Sequence, residues 1–417
     1  MKKNQGMTIA VLLLYLSINC FWNLLPLGNT YDFVFIFFMS LLVIKWFKNG
    51  IKLCNCNKTD ITVILSFIIV IIVFILRSLF ILEQSFSETL FAAREMLYFF
   101  TVFYFIQRKY SYQRCVHCLI YADVIGAVLY IITFILGYPI MGFAPYQGSS
   151  ISVSGIELYR DFSLNPMMQS FSCAYLLGGF IRKEYIRNKR SDLIMFGLIF
   201  FSTVIKLFRT KLIVLVLGLF ITIIFTGGMG KVKKNSRKWM LLIAGGITAI
   251  FVFVPTFTNR FTEGIKDLVT GAFSGIIDPF HGTGTYRLWL FQARINYLLR
   301  NNQLLLGMGI ISSRNKTQFF SNGRMTDSMA LIYNPDSAYL TLVPRYGVVG
   351  TLIYLGMLLY FIIVFLKRKT KLSIAAGAYI ICMIIEGISG NETLAQYGPL
   401  LLSMVIGLTM SEQERIK

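Results

Sequence analysis

Long apolar runs, each closed by a short polar or basic turn, follow one another along almost the whole chain. Such runs, about 17 to 22 residues each, match the length a helix needs to cross a hydrocarbon core of about 30 Å. The pattern predicts about twelve spans, near 7–25, 31–47, 61–82, 88–106, 115–137, 166–181, 191–208, 211–226, 239–257, 338–366, 372–390 and 394–410. One long interruption, at 258–337, places a large loop between the ninth and tenth spans. A membrane chain that otherwise turns tightly is expected to hold a site in such a loop.

Inside the loop, Tyr286 to Arg300 has helical periodicity. Leu288, Phe291, Ile295, Leu298 and Leu299 form a broad apolar stripe, while Arg287 and Arg294, seven residues apart, share one face. A helix of this kind is expected to lie along the membrane surface with its arginines near head groups. Anchoring and the gripping of a lipid-borne phosphate both fit that pattern.

Composition fixes the class. The 417 residues are 56% hydrophobic and only 14% charged, with mean hydropathy +0.67, well beyond a soluble globule. The expected fold is an all-α polytopic membrane protein forming a single integrated domain over 1–417. The apolar run after Lys2 and Lys3 is long and lacks a small-residue cleavage site, so the first span is expected to remain.

Charge then sets orientation. Basic connections at Lys45 to Lys58, Arg108 to Arg114, Arg182 to Arg190, Lys231 to Lys238 and Lys367 to Lys371 alternate with turns at 26–30, 83–87 and 391–393 that carry no basic residue. The positive-inside rule puts the basic set and both termini in the cytoplasm, and the long loop outside. The net charge of +21 is thereby spread over short turns that meet anionic lipid heads. A nucleic-acid binder would gather it on one soluble face, so no nucleic-acid partner is expected.

Few residues suggest conventional catalytic chemistry. Cys54 with Cys56 and Cys115 with Cys118 have spacings better suited to reduced structural cysteines than to a metal site, and the external loop has no cysteine for a disulfide. No phosphate-cradling glycine loop and no His-Glu-x-x-His occur, and His117 and His281 are the two histidines. We therefore expect no metal and no cofactor, and a reaction driven by an activated substrate.

The informative charges break the topology pattern. Lys206, Arg209 and Lys211 lie in a turn that the alternation places outside, where a basic cluster suggests a bound anion. Arg77, Arg94, Glu95 and Glu386 fall near the outer ends of spans. Ionisable groups there face a cavity or one another, so these either line the site or pair, Arg77 or Arg94 with Glu95 or Glu386.

At these positions the chain resembles a known family. Phe208-Arg209-Thr210-Lys211, Gly284-Thr285-Tyr286-Arg287-Leu288-Trp289, Leu306-Gly307-Met308-Gly309, Asp336-Ser337-Ala338-Tyr339-Leu340 and Tyr346-Gly347-Val348-Val349-Gly350 occur in that order. They resemble the motifs of the O-antigen polymerase and O-antigen ligase superfamily (Wzy and WaaL types), over about the last half of the chain. The resemblance implies a GT-C-like helical membrane fold in the bacterial plasma membrane. It also implies a metal-independent inverting glycosyl transfer on the outer face, with undecaprenyl-diphosphate-linked glycan as donor and acceptor and a chain-length regulator as a further partner.

Carried over residue by residue, Arg209 and Arg287 match the family arginines that grip the donor diphosphate, with Lys211 and Arg345 as further contacts. Guanidinium forks bind phosphate oxygens bidentately and stabilise the charge that grows on the leaving group. Asp336 stands where the ligases usually have a histidine. A carboxylate there can accept a proton from an attacking sugar hydroxyl, and Asn-Pro-Asp-Ser is also a good helix start, so base and cap are compatible roles. Arg77, Arg94, Glu386 and Arg294 are candidates for lining the cavity. Gly307, Gly309, Gly347 and Gly350 are read as serving turns and close packing. The departure at Asp336 favours a polymerase over a ligase that moves the finished chain to a lipid A core. A flippase is the third alternative, but it should show internal repeat symmetry and mid-membrane charges, which this reading does not find.

Overall fold

The computed structural model describes residues 30–49, 57–81, 84–106, 112–136, 148–153, 156–161, 168–205, 209–227, 283–310, 337–390 and 398–412, with isolated positions such as Tyr15, Trp239 and Leu394. Among these residues the chain is helical, with one β-hairpin in addition. Among the described residues, five helical stretches are long and apolar enough to cross a membrane: Lys58–Phe80, Phe86–Ile106, Tyr112–Leu136, Thr210–Gly227 and Tyr339–Arg368. The expected spans at 7–25 and 239–257 lie for the most part outside the described residues.

The first half supplies α1 (Thr30–Asn49), α2 (Lys58–Ile81), α3 (Phe86–Leu97), α4 (Val102–Ile106) and α5 (Tyr112–Leu136). The Ser85 hydroxyl accepts from the Glu88 amide and starts α3. A 3-10 turn at Tyr98–Thr101 separates α3 from α4, so the expected span at 88–106 is one helical stretch with a tightened middle. Aromatic packing accounts for that stretch: Phe67 meets Phe99 edge to face at 5.1 Å and stacks on Tyr354 at 4.8 Å.

The second half supplies α6 (Gln169–Arg182), α7 (Lys189–Ile205), α8 (Arg209–Gly227), α9 (Thr283–Arg300), α10 (Tyr339–Arg368), α11 (Lys371–Glu386) and α12 (Gly398–Ser411). Two of these are shorter than expected. Helix α6 has 14 residues and α11 has 16, so at 1.5 Å per residue they reach only about 21 to 24 Å. These two and α12 are apolar because they are enclosed by other helices, not because they face lipid. In α12 every residue from Gly398 to Met410 is buried, and in α6 every residue from Phe171 to Ile181.

Helices α6, α8 and α11 pack against one another. Lipid tails are as apolar as these side chains, so close contact rather than water exclusion holds them. Gly218 of α8 permits the approach, since a Cβ there would lie 2.8 Å from Cys382 Sγ, and that thiol donates to the Val214 carbonyl at 3.1 Å. A fully buried carboxylate ties α5 to this core: Asp123 accepts from the hydroxyls of Tyr15 and Ser172. Asp123 lies in the middle of α5 and so corrects the expectation that no charge stands at mid-span.

The connection from α5 to α6 is a second long one, which corrects the expectation of a single interruption. It carries β1 (Gly148–Val153) and β2 (Ile156–Asp161), antiparallel, with Val153 opposite Ile156 and Gly148 opposite Asp161. Only Ser154 and Gly155 separate the strands in sequence, a length suited to a two-residue hairpin. Strand β2 lies against α5.

Candidate functional site

Helix α10 is broken near one end. Gly347 has φ +64 and ψ −176, with Pro344 one turn before it, so the helical ladder cannot continue through this point. A break inside a long apolar helix leaves carbonyls and amides that lipid cannot satisfy. The strap Leu304 to Ile310, which follows α9, satisfies them. Met308 and Gly309 amides donate to the Pro344 and Arg345 carbonyls at 2.7 and 3.0 Å, while Val348 and Val349 amides donate to the Leu304 and Leu305 carbonyls at 3.0 and 3.1 Å.

The strap and the break approach so closely that neither tolerates a side chain. Gly307 also has a left-handed φ of +65, and a Cβ on it would meet the Gly347 amide and come within 2.7 Å of the Arg345 carbonyl. The sequence reading of these glycines as turn and packing residues matches this geometry. Helix α2 holds the strap from its other side. The Arg77 guanidinium donates to the Gln303 side chain and, at 3.2 Å, to the Gly307 carbonyl; Ser78 Oγ accepts from the Ile310 amide at 2.7 Å; and Gln84, between α2 and α3, donates to the Ile310 carbonyl at 2.7 Å.

The expected pairing of Arg77 or Arg94 with Glu95 or Glu386 is thereby corrected. Both acids are ion-paired, but with other cations. Glu95 pairs with Arg345 at 3.1 Å, and Glu386 with Lys211 at 3.7 Å. Arg77 serves the strap, and Arg94 lies 3.6 Å above the Phe91 ring. Arg345, expected on the donor phosphate, is therefore engaged by α3. Charge complementarity was legible in the sequence, whereas the choice of partner depends on how α2, α3 and α10 sit together.

Helix α9 forms over Thr283–Arg300, close to the predicted Tyr286 to Arg300. Its arginine face turns inward, which corrects the picture of a helix with arginines among head groups. Arg294 is 7% exposed and donates to the Leu340 carbonyl in the first turn of α10, while Leu298 is fully buried with Met308, Ile295 and Val343. Phe291 and Leu299 of the same stripe are exposed. Arg287 is half-buried on the face of Arg294, about 10 Å back along the helix. Burial also pushes the Tyr297 phenol up.

The start of α10 docks on the end of α11. Ser337 Oγ donates to the Gly387 carbonyl at 2.9 Å, the Ala338 amide donates to the Gly387 and Gly390 carbonyls at 2.8 and 3.1 Å, and Tyr339 donates to the Ile384 carbonyl at 2.8 Å. Glu386 directly precedes Gly387, and its partner Lys211 lies in the first turn of α8, two residues after Arg209. Contacts therefore run from α8 through α11 and α10 to α9. These four helices carry or adjoin the motif residues, and the chain brings Lys211, Glu386, Ser337 and Arg294 to one end of the bundle. Asp336, Lys206 and His281 lie outside the described residues, as does the side chain of Arg209.

Several residues of this region escaped the sequence reading. Ser337 and Tyr339 are quoted only within a motif, and Ser78, Gln84 and Gln303 are given no role there. The signal for Ser78 was its place directly after Arg77 in an apolar span, since two adjacent polar residues there need partners. No protein-family model matches the chain, and no curated protein matches it.

Proposed function

We propose that the chain is an inverting glycosyltransferase that polymerises undecaprenyl-diphosphate-linked oligosaccharide repeat units into O-antigen or capsular polysaccharide. In this reading the fold is a GT-C-like bundle of about twelve spans in the bacterial plasma membrane, both termini are cytoplasmic, and the strap end of the bundle faces outward. The observation that carries the reading is the chain of contacts from α8 through α11 and α10 to α9, which gathers the motif-bearing stretches at one end.

The chemistry follows from charge. A diphosphate leaving group gains negative charge as its bond to the sugar breaks, and Arg209, Arg287 and Lys211 supply the cations that stabilise it. Asp336 accepts the proton of the attacking sugar hydroxyl, so that the oxygen attacks the anomeric carbon from the face opposite the diphosphate. Glu386 holds Lys211 in place. The exposed Phe291 and Leu299 of α9 give a polyprenyl tail an apolar surface to lie against.

The test is the glycan ladder of cells carrying single substitutions. Arg287→Lys keeps the charge but loses the bidentate fork, so polymerisation should fall on the order of ten- to a hundredfold, with Arg287→Ala lower still. Asp336→Asn keeps a good helix cap but cannot take a proton; normal membrane expression with single repeat units and no long chains is expected. Wild-type chain lengths from Asp336→Asn would reduce that residue to a cap. Loss of even the single repeat would instead give the ligase reading.

A further inference from the structure

Two turns that are far apart in the chain form one basic surface at the end of the bundle away from the strap. One runs from Arg182 to Arg190 between α6 and α7, and the other from Lys367 to Lys371 between α10 and α11. The Arg182 guanidinium donates to the Lys369 carbonyl, and Lys371 Nζ donates to the Glu184 carbonyl at 2.7 Å while lying 4.0 Å above the Tyr175 ring. Arg182 and Lys371 are half-buried, so these two cations join the turns and face inward.

The cations that remain face outward. Lys183, Arg187, Lys189, Arg190, Lys367 and Lys369 are all exposed. Two of the acids nearby are buried. Asp192 is buried and accepts from the Ile186 and Arg187 amides at 2.7 and 3.3 Å, and Glu412 is buried and accepts from Thr370 Oγ1 at 2.6 Å. Among the described residues of the two turns, Glu184 is the one exposed carboxylate.

Two of these lysines also stand where the backbone disfavours any side chain. Lys183 ends α6 with φ 64, and Lys369 ends α10 with φ 56. Glycine is the unstrained residue at such a helix end, and a Cβ there is crowded against the following carbonyl. The same strained cation occurs at both ends, and the Arg182 hydrogen bond brings those ends together.

We propose that this surface is a seat for anionic phospholipid headgroups of the adjoining leaflet, with Lys183 and Lys369 on either side of one phosphodiester. Its position at a membrane end of the bundle and its excess of exposed positive charge fit a lipid phosphate that arrives from the side. The role is independent of the chemistry at the strap end.

Full-length protein carrying Lys183→Gly with Lys369→Gly tests the seat, because glycine relieves both left-handed positions while removing both charges. Thermal unfolding is followed in neutral detergent, alone, with added phosphatidylglycerol and with added inorganic phosphate. Wild type should gain melting temperature with phosphatidylglycerol and not with inorganic phosphate. The double variant should melt no lower than wild type in detergent alone and lose the phosphatidylglycerol gain, as should the Lys183→Asn with Lys369→Asn pair. An undiminished gain in the variants would overturn the proposal. So would an equal gain of wild type with inorganic phosphate, which would mark a free-anion site.

Discussion

The two ends of this bundle are closed by different means. At the basic end, side chains close the gaps between helix termini. Asp60 of α2 accepts from Arg368 at 3.1 Å and from Tyr360 at 2.7 Å, and Thr370 and Ser373 cap α11 reciprocally. At the strap end, backbone meets backbone, and Leu304 to Gly309 replaces the hydrogen bonds that α10 loses at Gly347. Side-chain closure degrades by degrees when a partner is changed, because neighbours and water compensate. Backbone closure depends on a fit with no room for an atom, and it fixes α9, with Arg287 and Arg294, against the start of α10.

The sharpest way to break the comparison is a single methyl group. Gly307→Ala adds a Cβ at a left-handed φ and against the backbone of Gly347, and strain plus overpacking should cost on the order of 4 kcal/mol. Little folded protein should survive detergent extraction, as read by size-exclusion chromatography. Recovery equal to wild type would mean that the strap is not the fixed element described here.

A smaller effect is expected at the basic end. Asp60 is 1% exposed, and Asp60→Ala leaves the Arg368 guanidinium without its carboxylate in a largely enclosed place. The loss should be about 3 kcal/mol, and Arg368→Met added to it should restore a large part, because the half-buried charge goes with it. A double-mutant cycle on thermal unfolding measures this coupling, and strict additivity would contradict it.

The smallest effect is a pH dependence at Lys371. Burial pushes its ammonium down to about 8, against an ordinary lysine value of 10.5. Below about 8 both folded and unfolded chains carry the proton, and the cost of the buried charge is present in full. Between about 8 and 10.5 the unfolded chain holds more protons, so the contribution of Lys371 to stability rises with pH. The melting temperature of wild type relative to Lys371→Met should therefore increase by a few degrees from pH 7.5 to pH 10. A constant difference would show that Lys371 stays fully charged over that range.

The same contrast explains what could be read from the sequence. Helices whose periodicity or apolar length is local, such as α2, α5 and α9, were expected near their observed places, but the stripe of α9 was expected against the membrane, whereas Leu298 is buried in the protein and Phe291 and Leu299 are exposed. Helices α6 and α11 were expected as full spans because an enclosed helix and a lipid-facing helix look alike in hydropathy. The partners of Arg345, Arg77 and Arg294 were not legible, since each choice rests on contacts between elements far apart in the chain. The Gly347 break was foreshadowed by Leu306-Gly307-Met308-Gly309 and Tyr346-Gly347, but a motif does not say which backbone groups it joins. The hairpin at 148–161 went unread because two short strands leave little signal beside long apolar runs.

Binding of undecaprenyl diphosphate to full-length protein tests the proposed site most directly. Native mass spectrometry of wild type, Arg287→Lys and, as a control, Arg300→Lys at the exposed far end of α9 compares one phosphate grip with a bystander. The account predicts that wild type and Arg300→Lys retain the lipid alike, while Arg287→Lys retains it on the order of tenfold more weakly. Equal retention by all three proteins would contradict it.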